Sequence, residues 1–357
     1  MSDPQHPYGD AGIRFLVAAA CLVVVVAGLR AAAELVLPFL VAVFLAVVSA
    51  PLMGWLQRWH VPRPLAALCT ILAAVGVVGV FGLIVGGSVN EFGAAAPRYQ
   101  ARLQALLESG LRLAGRTGVP VQEWRALDLL PVSGVFDLLG GTLGAVASFA
   151  SNTFLVLLTV AFILMEAVGF SAKLRAAFGE GTQFLPLQRM TRQVQRYLVI
   201  KSTISAATGL LLGAWVALLG LDFALLLGLL AFFLNFIPTL GSVIAAVPAV
   251  VLAALQFGLA RAGVVALGYL AINVIFGNLV EPTLMGRRLG LSALVVFVSL
   301  VFWGWVWGPI GMLFSVPLTM VVKIALENTR EFRWVAVMLD ANPRTLPPPT
   351  PAAGGTP

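Results

Sequence analysis

Two stretches of this chain, residues 223–260 and 289–322, run for 38 and 34 residues without one charged side chain. A helix rises about 1.5 Å per residue, so a rod of that length would reach about 57 Å, nearly twice the hydrocarbon core of a bilayer. Neither stretch fits a membrane as one straight helix. Both break at their middles with similar punctuation. The first reads Asn235-Phe236-Ile237-Pro238-Thr239-Leu240-Gly241, with Pro248 beyond it; the second reads Trp307-Gly308-Pro309-Ile310-Gly311, with Pro317 beyond it. Proline removes an amide donor and glycine frees the backbone, so helix is expected to stop at each point. Each arm then has about 12 to 18 residues, short of the roughly 20 that a full span needs. Two re-entrant hairpins or two kinked spans satisfy these limits.

The rest of the chain agrees with a lipid environment. Of 357 residues, 60% are apolar and 10% charged, against about 25% charged in soluble domains. Backbone amides in lipid have no water, so each span must be a helix or part of a closed barrel. The apolar runs are continuous rather than alternating, which selects helices. The net charge of +7 comes from basic residues between apolar runs, where they orient spans and meet anionic headgroups of membrane lipids; no nucleic-acid partner is expected. Cys21 and Cys69 lie inside apolar runs and read as lipid-facing or packing thiols. With only His6 and His60, a multi-histidine metal site is excluded, and no cofactor motif is present. Ala31-Ala32-Ala33 resembles a leader cleavage site, but Arg30 interrupts the preceding run and another apolar run begins at Leu35, so this segment is expected to remain as a first span.

The expected fold is therefore an all-α polytopic integral membrane protein, with about six full spans plus the two broken segments, eight membrane segments in all. Single spans are expected at 15–29, 35–57, 64–90, 138–165, 202–221 and 262–280. The chain divides into three N-terminal spans (1–90), an extracytoplasmic, partly helical segment (91–137), the fourth span (138–165) and a basic cytoplasmic linker (166–201). A C-terminal transport core (202–328) carries both breaks, and a cytoplasmic tail (329–357) is expected to be disordered from about residue 342. Within 91–137 a helix over 97–114 would put Leu103, Leu106, Leu107 and Leu111 on one stripe.

Charge sets the orientation. The linker 166–201 holds six basic residues against Glu166 and Glu180, so it is expected inside, whereas 91–137 has five arginines and five acidic residues and is expected outside. Two hairpins entering from opposite faces then leave Arg287, Arg288, Lys323, Arg330, Arg333 and both termini cytoplasmic. Two kinked spans would misplace only Arg287 and Arg288.

Polar groups inside apolar spans are costly and mark candidate sites. Tyr197, Lys201, Ser205 and Thr208 recur at helical spacing on one face; they could line a wet path, or serve as interfacial anchors and hydroxyls bonded to their own helix. Asn235 adjoins the first break, and the broken termini at Pro238 to Gly241 and Pro309 to Gly311 could offer free amides and carbonyls to a polar solute or cation. Asn273, Asn278 and Glu281 fall within about a 140° arc of a helix. Glu281 could exchange protons, or form a salt bridge to a nearby arginine. Asp222, Glu34 and Glu166 are boundary carboxylates. No nucleophile elbow, zincin helix or phosphate-binding loop is present, so no enzyme activity is expected.

Several of these residues fall in recognisable strings. Gln195-Arg196-Tyr197-Leu198-Val199-Ile200-Lys201-Ser202, then Asn235-Phe236-Ile237-Pro238, then Asn278-Leu279-Val280-Glu281-Pro282 with Gly286-Arg287-Arg288-Leu289-Gly290-Leu291, then Trp307-Gly308-Pro309-Ile310-Gly311 through Val316-Pro317-Leu318 resemble the autoinducer-2 exporter family, the PerM-like permeases. The resemblance implies a bacterial inner-membrane protein with eight membrane helices that exports the quorum-sensing furanone autoinducer-2. It also implies that some relatives act as sodium or lithium to proton antiporters, and it is compatible with a homo-oligomer. Three readings follow: an exporter of a small polar solute, a cation to proton antiporter working through Glu281 or Asp222, and a membrane scaffold that moves nothing.

Overall fold

The computed structural model describes residues 7–116, 153–178, 185–238, 240–285, 290–327, 329 and 332–341. Among them the regular elements are all helical: α1 (Pro7–Ala31), α2 (Ala33–Arg58), α3 (Arg63–Arg116), α4 (Thr153–Phe178), α5 (Leu185–Leu218), α6 (Ala224–Leu234), α7 (Leu240–Phe257), α8 (Leu259–Val274), α9 (Glu281–Met285), α10 (Ala293–Glu327) and α11 (Arg333–Leu339). A π-helical segment, Ile275–Val280, joins α8 to α9. Among the described residues, six stretches are long and apolar enough to cross a membrane: Ala33–Arg58, Arg63–Ala95, Thr191–Leu218, Leu240–Phe257, Leu259–Met285 and Ala293–Glu327. Leu218 and Leu259 stand 82% and 85% exposed while Lys201 is only 3% exposed. Apolar groups outside and a lysine inside is the pattern of a helix bundle surrounded by lipid.

Both long runs fold back on themselves. In the first, α6 stops at Leu234 and α7 starts at Leu240. The Asp222 backbone N–H donates to Gln256 Oε1 at 3.2 Å, two residues that a straight helix would hold about 51 Å apart. Between tip and base, Leu227 and Ala231 of α6 pack in one cluster with Ala245, Ala249 and Leu252 of α7. In the second run Gly308 has φ 64° and ψ −146°, a region only glycine occupies without strain. Across that turn Ser299 Oγ donates to the Ser315 carbonyl at 2.9 Å and lies 2.7 Å from Thr319 Oγ1, which also accepts from Trp303 Nε1 at 3.0 Å. At each turn a glycine backs onto an earlier carbonyl: a Cβ on Gly241 would collide with the Leu234 oxygen, and one on Gly311 with the Trp303 oxygen.

The first hairpin is seated by close backbone approach. A Cβ on Gly228 of α6 would come 2.7 Å from the Gly209 carbonyl oxygen and 2.9 Å from Gly213 Cα on α5. Association of helices in lipid rests on such small-residue contacts because apolar burial supplies little drive there. The hairpins meet through Phe44 of α2, whose ring lies edge-on to Phe236 at 5.6 Å and to Phe314 at 5.2 Å.

Three helices outrun the apolar limits read from sequence. The separate segments 64–90 and 97–114 form one helix of 54 residues that passes through Pro97, about 81 Å long. α4 continues beyond Met165 to Phe178, and α5 begins at Leu185 rather than near 202, so much of the basic linker is helical. Hydropathy marks where lipid ends, whereas Lys, Arg, Glu and Gln are good helix formers and let the helix continue. The expectations for residues 138–152, the side chains of Leu103, Leu106, Leu107 and Leu111, Arg287 and Arg288, and the tail from 342 lie outside the described residues. Cys21 and Cys69 are both exposed on the helix bundle.

Candidate functional site

The polar face of α5 is buried along its length: Tyr197, Lys201, Ser205 and Thr208 are 6%, 3%, 0% and 1% exposed. This excludes solvated interfacial anchoring for Lys201. Its ammonium donates to both carboxylate oxygens of Glu281, at 2.8 and 2.9 Å, with the lysine side chain 4% and the glutamate side chain 25% exposed. Glu281 therefore forms a salt bridge to a lysine 80 positions away in sequence; the arginines considered as its partners, Arg287 and Arg288, lie outside the described residues. A buried pair of this kind is held by mutual attraction against a large desolvation cost, and losing one partner strands the other charge.

One turn along α5, Ser205 Oγ accepts a hydrogen bond from Asn235 Nδ2 at 3.0 Å. Asn235 is the C-cap of α6, at the break itself. The tip of the first hairpin is thereby tied to the helix that carries the ion pair. Pro238 and the buried Gly241 complete that turn. A further turn along, Thr208 Oγ1 is buried with no hydrogen-bond partner among the described residues, as is Ser202 Oγ beside Lys201. Buried hydroxyls without partners are uncommon in a packed interior and mark places a polar guest could satisfy.

The π-helical segment Ile275–Val280 immediately precedes Glu281. Its wider turn gives the residues that follow an angular register different from that of a uniform helix. Asn273 is half-buried, Asn278 is exposed, and Glu281 is turned towards α5. π-bulges of this kind occur often at functional sites.

The second break has different company. Trp307 Nε1 donates to the Leu29 carbonyl of α1 at 3.0 Å, and Arg30 stacks over Trp305 at 5.0 Å. Pro309 is exposed and Gly311 is buried against its own hairpin. The two breaks thus address different helices: α5 for the first, α1 for the second.

Two further polar clusters had no sequence signal, since their members are distant in the chain. At the base of the first hairpin Tyr99 of α3 donates a hydrogen bond to Asp222 Oδ2, Gln256 Nε2 donates to Tyr99 Oη at 2.8 Å, and Arg98 lies 3.8 Å from Asp222. Tyr99 lies beyond the apolar stretch Arg63–Ala95. Burial first, then the bond to Asp222, raises its phenol above the ordinary 10.0. At the base of the second hairpin Lys323 Nζ donates to the Gly290 carbonyl at 2.7 Å and to Asp340 Oδ2 at 2.6 Å, with Glu327 at 3.2 Å. Gly290, with φ 61°, leaves room for that ammonium. Among the described residues no three His, Cys, Asp or Glu side chains converge as metal ligands.

A family model described as "AI-2E family transporter" matches residues 19–331. The chain is 40% identical to "AI-2 transport protein TqsA" of Escherichia coli (strain K12), across 92% of this chain and 96% of that protein. It is 34% identical to "Putative transport protein YhhT" of the same organism, across 95% of this chain and 97% of the relative. A "Putative transport protein" of Haemophilus influenzae is 36% identical across 88% of this chain and 93% of its own length.

Proposed function

The chain belongs to the AI-2E transporter family, and from that premise we propose that this membrane transporter exports a small polar solute, autoinducer-2, along a route that passes the first hairpin tip and the Lys201–Glu281 pair. The observation that carries the reading is the continuous polar line from Glu281 through Lys201 and Ser205 to Asn235, ending at a backbone break. Helix ends at membrane depth are tolerated where they line a cavity, and such termini are where secondary transporters bind their cargo. The solute's name rests on the relative whose description reads "AI-2 transport protein".

The reading includes a topology. The two hairpins enter from opposite faces, the first from outside and the second from the cytoplasm, with both termini and the basic linker up to the apolar stretch Thr191–Leu218 in the cytoplasm of a bacterial inner-membrane protein. Its support is the asymmetry of basic residues together with the partners at the two bases: Tyr99 on the α3 extension for the first, the Asp340 end of the C-terminal segment for the second. The core at 202–328, with Lys201 at its edge, is the part that transports, and the three N-terminal helices are its frame.

A second reading, cation to proton antiport, draws on the same ion pair: a buried carboxylate that alternates between lysine, proton and metal cation couples opposing flows without covalent chemistry. Inverted membrane vesicles separate the two. Under export, labelled autoinducer-2 accumulates inside them, and Glu281→Gln or Asn235→Ala abolishes accumulation. Under antiport, sodium or lithium instead dissipates an imposed pH gradient, and only the Glu281 variant stops it. Vesicles in which neither flux exceeds that of empty controls would defeat both readings.

A further inference from the structure

A cleft of about 220 Å³ opens beside the ion pair, lined by Arg192, Gln193, Arg196, Tyr197 and Ile200 of α5, Met285 of α9 and Met320 of α10. Its two ends differ in chemistry. Arg192 and Arg196 are four residues apart, so they share one helical face. Both are exposed, and neither guanidinium has an ion-pair partner among the described residues. The floor, by contrast, is Tyr197, Ile200, Met285 and Met320, with Tyr197, Met285 and Met320 all buried. Two methionines make a surface that adapts to a flexible apolar guest.

The depth of this cleft fits its chemistry. The apolar stretch of α5 is Thr191–Leu218, so Arg192 and Arg196 occupy its first turns, at the level of lipid phosphates. We propose that the cleft is a binding site for an anionic phospholipid, phosphatidylglycerol in type, whose phosphate lies between the two guanidiniums and whose acyl chain covers the methionine floor. Arginine forks match phosphate geometry, and basic pockets between membrane helices on the cytoplasmic side take anionic headgroups. An inorganic anion alone would leave the floor uncovered; an uncharged lipid would leave the arginines without a counter-charge.

The site abuts the transport machinery. Tyr197 lies one turn before Lys201 on α5, and Met285 lies one turn after Glu281 on α9, so the lipid touches both helices that carry the ion pair. Its occupancy therefore bears on how firmly α9 is held against α5. This inference does not depend on which solute is carried.

Native mass spectrometry of the purified full chain, titrated with dioleoyl phosphatidylglycerol or dioleoyl phosphatidylcholine, tests it. The chain is expected to retain phosphatidylglycerol on the order of tenfold more strongly, as two arginines at an anionic headgroup imply. The double variant Arg192→Gln, Arg196→Gln removes that preference, whereas Arg261→Gln, at the far end of α8, keeps it. Ile200→Trp, which fills the floor and leaves both arginines, weakens retention of both lipids. Equal retention of the two lipids by the unmodified chain would overturn the inference. So would a preference that survives loss of both arginines, insensitivity to Ile200→Trp, or displacement of the lipid by millimolar inorganic phosphate.

Discussion

The two broken hairpins share a design and differ in what their tips carry. Each turns at a proline-glycine point where a glycine backs onto an earlier carbonyl. The first presents an amide, Asn235, to the polar face of α5. The second presents three tryptophans; its Ser299 and Thr319 hydroxyls and the Trp303 indole N–H are satisfied within the hairpin, and the Trp307 indole N–H by α1. A backbone break in lipid is thus not by itself a site. What distinguishes the first is an outward-facing polar group with a buried ion pair one turn away.

The largest expected effect tests the ion pair on the side of the first hairpin. Glu281→Gln leaves the Lys201 ammonium buried without a counter-charge and is expected to lower stability by about 3–5 kcal/mol, with flux lost; Lys201→Gln behaves similarly. The double variant recovers much of the stability and none of the flux, as thermal unfolding and vesicle transport would record. A double variant that transports normally would erase the contrast between the hairpins.

Next come changes within the second hairpin. Gly308→Ala forces a side chain into a glycine-only backbone region and is expected to cost about 1–3 kcal/mol, seen as a lower melting temperature. Thr319→Val strips the Trp303 indole and Ser299 hydroxyl of a partner, at about 1–3 kcal/mol. In both, flux per folded molecule remains. Asn235→Ala inverts the pattern: one lost hydrogen bond costs only about 1 kcal/mol, yet transport falls sharply. If Thr319→Val impairs flux more than Asn235→Ala does, the roles assigned to the two hairpins are reversed.

The smallest effect sharpens the comparison at the bases. Tyr99→Phe removes the donor to Asp222 and is expected to cost about 1 kcal/mol. Because burial raises the Tyr99 phenol above its ordinary value, its protonated form is favoured in the folded chain. The stability it supplies is complete below about pH 10 and lost as pH climbs through the raised value. The difference in melting temperature between Tyr99→Phe and the unmodified chain should therefore be flat across neutral pH. A difference that titrates near neutrality would contradict this account of the Tyr99–Asp222 bond.

Much of the fold was legible because lipid imposes few solutions. Uncharged length against bilayer thickness forced the breaks at 235–241 and 307–311, and both are present. That Tyr197, Lys201, Ser205 and Thr208 share one face of α5 was legible from spacing; that this face is buried was not. Helix ends were not, since Arg and Glu continue a helix past the lipid boundary, as in α3 and α4. The partner of Glu281 was also hidden: it lies 80 residues away, and no local pattern announced the π-helical segment that precedes the carboxylate. Tyr99 with Gln256, and Lys323 with Asp340, are likewise pairings that only the folded chain brings together.

Water access at the two tips is the most direct test of the route. In a background lacking Cys21 and Cys69, single cysteines at Ser205, Asn235, Trp305 and Pro309 would be treated with a membrane-impermeant thiol reagent, with and without autoinducer-2. Ser205→Cys and Asn235→Cys are expected to react and to be protected by the solute, while Trp305→Cys and Pro309→Cys show no protection. Solute protection confined to the second tip, or silence at both positions of the first, would contradict a pathway past Asn235 and the lysine-glutamate pair.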